Sequence, residues 1–189
     1  MKFLITGFTP FADNEENPSS MVLGLIAKTD VEVLKLDVSY LRCQDMLEAK
    51  IKEVVPDIVI CLGLASKRSQ ITPELCAINY MYAQIADNDG VLMEGRKIDD
   101  NGPNAYFTKL DLISLIKYLK ENDIDASLST SAGTYVCNST YYHLLSMEEK
   151  YGFKGLFIHI PPLNVINLDN LSKALTKIIT FFNFSKSRV

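Results

Sequence analysis

Residues 133–140 read GTYVCNST, and they place a cysteine where the Ser/Thr-rich stretch ASLSTSA gives way to helical spacing in YYHLLSMEEKYG. A free cysteine is ordinarily a small buried hydrophobe. At a strand-to-helix junction, however, Cys137 would meet unpaired N–H groups and the positive end of the helix dipole. These are expected to lower its pKa and enrich the nucleophilic thiolate. The Cys137 amide would then be one candidate donor to an oxyanion.

A nucleophilic cysteine works with a base, and the chain has only 2 histidines. His143 follows Cys137 by six positions, which puts it about 120° around a helix and poorly placed to meet the thiol. His159, in GLFIHIPPL, stands near the end of an apolar run and just before Pro161-Pro162. It could reach the carboxyl edge of a sheet, where α/β proteins bind ligands. For His159 the roles of core histidine and catalytic base stand level. A third, orienting member could be Glu74 in ITPELCAIN, because a carboxylate among Ile71, Leu75, Ala77 and Ile78 needs a partner. On residue type alone, Glu74 reads instead as a strand-edge glutamate facing solvent.

The elements that would position these residues alternate along the chain. Phe3-Leu4-Ile5, Val31 to Val38, Asp57 to Leu64 and Leu156 to Ile160 are short apolar runs bounded by Gly, Pro or Asp, and they read as buried strands. Leu128 to Ser131 reads as a further strand leading through a flexible Gly133 to Cys137. Helical spacing follows Asn17-Pro18, runs from Cys43 to Val54, starts again at Asp111, and forms an apolar stripe from Leu168 to Phe182, with Asn17 and Asn167 as caps. This order predicts an α/β fold, a three-layer sandwich around a largely parallel twisted sheet. Residues 68–105 break the rhythm with Asp-Gly, Gly-Arg and Gly-Pro, and read as a hairpin excursion.

At 189 residues and 48% hydrophobic content the chain suits a single domain over residues 1–189. Its net charge of -4, with both signs interspersed, gives no footprint for nucleic acid or an anionic membrane. No signal peptide or membrane span is legible, and the four cysteines, Cys43, Cys61, Cys76 and Cys137, form no C-x-x-C pair. They read as free thiols of a cytoplasmic protein.

These residues, in order over the whole chain, resemble the pyroglutamyl peptidases, or pyrrolidone-carboxylate peptidases. TGFTPFADNEENPS is similar to the family's opening motif, ITPELCAIN to its glutamate segment, DNDG and NGPNAYFTKL to flanking landmarks, SAGTYVCN to its nucleophile segment, and FIHIP to its histidine segment. The resemblance implies a cysteine exopeptidase that removes N-terminal pyroglutamyl residues through a thioester acyl-enzyme. Cys137 would be the nucleophile, His159 the general base and acid, and Glu74 the residue orienting it. Phe8, Phe11, Tyr135 and Val136 would line the lactam pocket. It further implies a homotetramer that needs no metal or organic cofactor, with a pyroglutamyl peptide as its partner and neither nucleic acid nor membrane.

Three positions depart from the pattern. Leu64 stands where a glutamine is usual, Gln84 where an arginine precedes the acidic turn, and Met21 where a glutamate follows N-P-S. A lost amide in the lactam pocket costs about 0.5–1.5 kcal/mol. A non-catalytic ligand-binding homologue and an amidase for another small acyl group are therefore the alternatives, although the presence of Cys137, His159 and Glu74 together weighs against the first.

Overall fold

The computed structural model describes residues 1–12 and 15–185, so Asp13 and Asn14 of the opening motif lie outside the described residues. The order is β1 (Phe3–Phe8), α1 (Pro18–Met21), α2 (Leu23–Ile26), β2 (Val31–Leu36), α3 (Cys43–Val54), β3 (Ile58–Leu64), β4 (Thr72–Pro73), β5 (Cys76–Ile78), β6 (Met81–Tyr82), β7 (Glu94–Arg96), β8 (Ala105–Phe107), α4 (Leu112–Lys120), α5 (Val136–Ser146), α6 (Glu148–Tyr151), β9 (Lys154–Ile160) and α7 (Leu168–Ser185). The main sheet runs β2-β1-β3-β9-β4, parallel except for β4, which is antiparallel to β9.

Side-chain alternation divides the core between the two faces of this sheet. Phe3, Ile5, Ile58, Ile60, Leu156 and Ile158 bury against α2, α4 and α7; Leu4, Val59, Cys61 and Phe157 bury against α3, α5 and the excursion. Both faces are covered, which is why the strand sequences are continuous apolar runs instead of alternating ones. The result is the expected three-layer arrangement.

The caps expected at Asn17 and Asn167 are present, and Asp111 caps the helix expected to start there. Asn17 Oδ1 accepts from the Ser19 amide at 3.1 Å, Asp111 Oδ1 from that of Ser114 at 3.0 Å, and Asn167 Oδ1 from that of Asn170 at 2.9 Å. The first helical segment is nevertheless broken at Val22 into two short pieces. It lies tight against β1: a Cβ on Gly7 would stand 2.0 Å from the Ser19 carbonyl oxygen, so only glycine permits this approach. The excursion is a pair of nested antiparallel ribbons, β5 with β8 and β6 with β7. Residues 128–131 form no strand of their own. Only single bridges, Glu74 to Ser129 and Ile71 to Ala126, join this stretch to the segment around β4.

Candidate active site

The end of β9 and the start of α5 meet over the face of the sheet that packs on the excursion. His159 pairs in register with Gly63 of β3, so a side chain on Gly63 would project beside the imidazole. In its place lies Cys137: the Sγ is 3.1 Å from where a Gly63 Cβ would stand, and the Phe157 ring is 2.8 Å from it. The missing side chain at Gly63 is what allows the helix to set its thiol against the strand next to the histidine.

Cys137 is the second residue of α5. Tyr135 is the N-cap but supplies no side-chain hydrogen bond, and the first intrahelical bond runs from the Ser139 amide to the Tyr135 carbonyl at 3.2 Å. The amides of Val136, Cys137 and Asn138 therefore stand at the open end of the helix. Buried Asn138 anchors that end to the excursion, accepting from the Ile78 amide at 3.0 Å and donating to the Ile78 and Tyr80 carbonyls at 2.8 and 3.0 Å.

Glu74 follows β4 and continues its ladder, its amide donating to the Phe157 carbonyl at 2.9 Å. Its side chain is 0% exposed, so the solvent-facing reading of this glutamate is wrong. The sequence could not show that β4 folds onto β9, which turns the carboxylate inward. His159 Nδ1 lies 2.7 Å from Glu74 Oε1; since a carboxylate only accepts, Nδ1 carries the proton and Nε2 is the basic nitrogen. Arg68 Nη1 donates to the same Oε1 at 2.6 Å. The Tyr141 hydroxyl fixes the Glu74 main chain, donating to its carbonyl at 2.9 Å.

The expected low thiol pKa is not found. Burial pushes Cys137 up to about 12, with Cys43 and Glu74 adding to the rise, against smaller lowering by its own backbone amide and Arg68. Desolvation outweighs the helix dipole, and Cys137 rests as a protonated thiol.

A cleft beside the thiol is lined by Phe8, Phe11, Val38, Leu64, Tyr135 and Val136, with Asn17 as the amide among its walls. All four residues expected around a pocket are thus brought together with Cys137. Phe11 and Tyr135 stack with centroids 6.1 Å apart, and the Tyr135 hydroxyl donates to the Ala86 carbonyl at 3.0 Å, tying the excursion across the cleft. The cleft is narrow, with a cavity volume of about 20 Å³. Roomier hollows of about 470 and 530 Å³ lie elsewhere, beside α7 and along α4, and neither is lined by a thiol or an imidazole.

His143 is set apart from this group, as its helical offset predicts. Its ring stands edge-on to Tyr142, its Nε2 is buried without a hydrogen-bond partner among the described residues, and burial pushes its pKa down to about 4, with Asp99 as its charged neighbour. Sequence reasoning missed the parts played by Gly63, Asn138 and Arg68. The available signal was weak: a glycine ending an apolar strand, and a lone arginine six residues before Glu74.

Comparison with known proteins gives the same direction. The family profile of the pyroglutamyl peptidases matches residues 1–180. The chain is 40% identical over 166 residues to pyrrolidone-carboxylate peptidase 1 of Saccharolobus solfataricus, covering 85% of this chain and 79% of that one. It is 40% identical over 179 residues to the pyrrolidone-carboxylate peptidase of Clostridium botulinum, covering 90% and 84%. It superposes on the crystal structure of Bacillus amyloliquefaciens pyroglutamyl peptidase I with a TM-score of 0.88 at 35% identity, covering 94% and 93%.

Proposed function

The chain belongs to the pyroglutamyl peptidase family, and we propose that its cysteine-type hydrolysis of N-terminal pyroglutamyl peptides is carried out by Cys137 as nucleophile, His159 as base and acid, and Glu74 as the group that orients His159. The observation that carries this reading is the chain of contacts from Glu74 through His159 to the Gly63 gap that holds the Cys137 Sγ.

Cys137 starts as a thiol, so its proton passes to His159 Nε2 as Sγ attacks the pyroglutamyl carbonyl. The carbon becomes tetrahedral, and its oxygen takes negative charge beside the amides at the start of α5. His159 then gives the proton to the departing amine as the C–N bond breaks, leaving a thioester. Water, deprotonated by the same nitrogen, attacks the thioester and releases pyroglutamate and the thiol. Phe8, Phe11, Tyr135 and Val136 offer the lactam ring an apolar seat. A charged N-terminus would be desolvated there without a counter-ion, which supports exopeptidase selectivity for a blocked end.

We also take residues 1–189 as one domain and place the protein in the cytoplasm as a homotetramer. What supports the location is that all four cysteines are free thiols; among the described residues no helix is long and apolar enough to cross a membrane. The tetramer rests on the family resemblance.

The test is fluorophore release from a pyroglutamyl amide against a prolyl amide. The wild type is expected to cleave the first alone, Cys137→Ser to be inactive while folded, and His159→Ala to lose about 10²–10⁴-fold. Undiminished turnover in a folded Cys137→Ser variant would rule the assignment out.

A further inference from the structure

Glu74 is wholly buried, yet its two oxygens are used unequally: Oε1 accepts from both His159 Nδ1 and Arg68 Nη1, while Oε2 has no hydrogen-bond partner among the described residues. Crowding two donors onto one oxygen while its twin goes unused is a costly way to satisfy a carboxylate. It makes sense where the two donors must act on the same atom. Arg68 is itself held from two other sides. Nη1 also donates to the Thr72 hydroxyl, which in turn donates to the His159 carbonyl at 3.2 Å, and Nη2 donates to the Ser131 carbonyl at 3.2 Å. The guanidinium thus joins the carboxylate, the backbone of the histidine strand and the loop that leads to Cys137.

From this geometry we infer that Arg68 is a positioning residue of the reaction: it cancels the charge of Glu74 at the oxygen that faces His159, so that the imidazole rests neutral and ready to accept the thiol proton. The inference rests on the proposed role of His159 as base. A bare carboxylate at Nδ1 would favour the imidazolium, which cannot take that proton. Glu74 Oε1 contacts the His159 ring directly; Arg68 and the Tyr141 hydroxyl are bonded to Glu74, Cys76 and Cys137 lie close enough to sense its charge, and Cys61 shares the His159 face of β3. Arg68 is the cation of this set. Because Arg68 and His159 touch one oxygen, they lie within about 5 Å of each other. Two unit charges at that separation and an effective dielectric of about 20 correspond to roughly two pH units or slightly more.

The experiment is the pH profile of kcat/KM for wild type, Arg68→Gln and Arg68→Lys on the pyroglutamyl amide, with folding checked by near-ultraviolet circular dichroism. Removing the charge in Arg68→Gln is expected to move the acid limb up by roughly one pH unit or more. Arg68→Lys keeps the charge but cannot reach Glu74 and Ser131 together. It is expected to hold the wild-type limb while kcat falls about ten-fold at unchanged KM. A folded Arg68→Gln whose acid limb stays in place overturns the inference and leaves Arg68 a structural residue. If Arg68→Gln does not fold, Arg68→Lys decides: a limb in place with reduced kcat supports the inference, and a displaced limb or an unchanged kcat overturns it. Failure of the underlying assignment looks different, since activity would then survive His159→Ala itself.

Discussion

Gly63→Ala tests the placement of the thiol directly. The added Cβ would stand 2.8 and 2.9 Å from two carbons of the Phe157 ring and 3.1 Å from the Cys137 Sγ. Optimal carbon contacts lie at about 3.5–4.0 Å, so the ring must retreat by most of an ångström and the sulfur by about half of one. Neither has free room. Phe157 is 0% exposed and wedged against Phe8, Tyr141 and His159, whose ring centroid is 4.9 Å away. Overpacking of this kind costs about 1–3 kcal/mol, which in a chain of this size lowers Tm by roughly 2–12 °C. The catalytic effect is expected to be larger in proportion, because either relaxation moves the sulfur or the ring beside the base, and a misplacement of about 1 Å costs about 10²-fold. Thermal unfolding and kcat/KM on the pyroglutamyl amide are measured together, with Gly24→Ala as the control. A Cβ at Gly24 meets nothing within 4 Å, and alanine there is expected to stabilise α2 by up to about 1 kcal/mol without touching the kinetics. A Gly63→Ala variant that loses stability yet keeps kcat/KM within about three-fold would refute the placement of the reacting sulfur against β3.

Two further outcomes follow from groups beyond Cys137, His159 and Glu74. The pKa of His143 falls from 6.5 unfolded to about 4 folded, so its contribution to stability is complete above 6.5 and is lost as pH drops through about 4. This amounts to at most about 3 kcal/mol. Urea midpoints at pH 7.5 and 4.5 are expected to lie closer together in His143→Gln, with neutral activity near wild type; an unaltered gap would show that other groups drive the acid loss. Leu64→Gln, at the wall of the cleft, is expected to raise kcat/KM on pyroglutamyl amides by about ten-fold at most, the value of one net hydrogen bond, and to leave a carbocyclic analogue unaffected. Equal effects on both substrates would make Leu64 a packing residue.

The parts of the fold that the sequence displays are those governed by local rules. Strands covered on both faces announce themselves as apolar runs, and Asn17, Asp111 and Asn167 mark helix starts because each satisfies an amide within a few residues. Long-range pairing is another matter. Residues 128–131 have strand composition but meet only isolated partners, and Glu74 is polar in sequence yet lies inside because β4 turns back onto β9. Cys137 could be located from the start of helical spacing after Gly133, although the strand expected before it does not form, but its protonation could not be read. The helix end is visible in the sequence, whereas the burial that raises the thiol pKa comes with residues such as Phe8, Phe11 and Leu64, which arrive from elsewhere in the chain. Arg68 is the clearest case of a residue whose role exists only in three dimensions, since none of its partners Glu74, Thr72 and Ser131 is marked by spacing alone.

The last strand to be synthesised is not at the rim of the sheet but inside it, between β3 and β4. A chain still emerging from the ribosome therefore has β1, β2 and β3 ready to pair long before anything can cover the far side of β3, whose backbone donors and acceptors stay open until Lys154–Ile160 arrives. That strand also brings His159, so closure of the sheet and completion of the proposed catalytic group are one event. Until it pairs, the proposed nucleophile lacks its proposed base. The same delay leaves a long apolar edge unprotected while non-local parallel pairs form, which is intrinsically slow. Here the folding hazard and the late completion of the proposed catalytic group have a single topological origin.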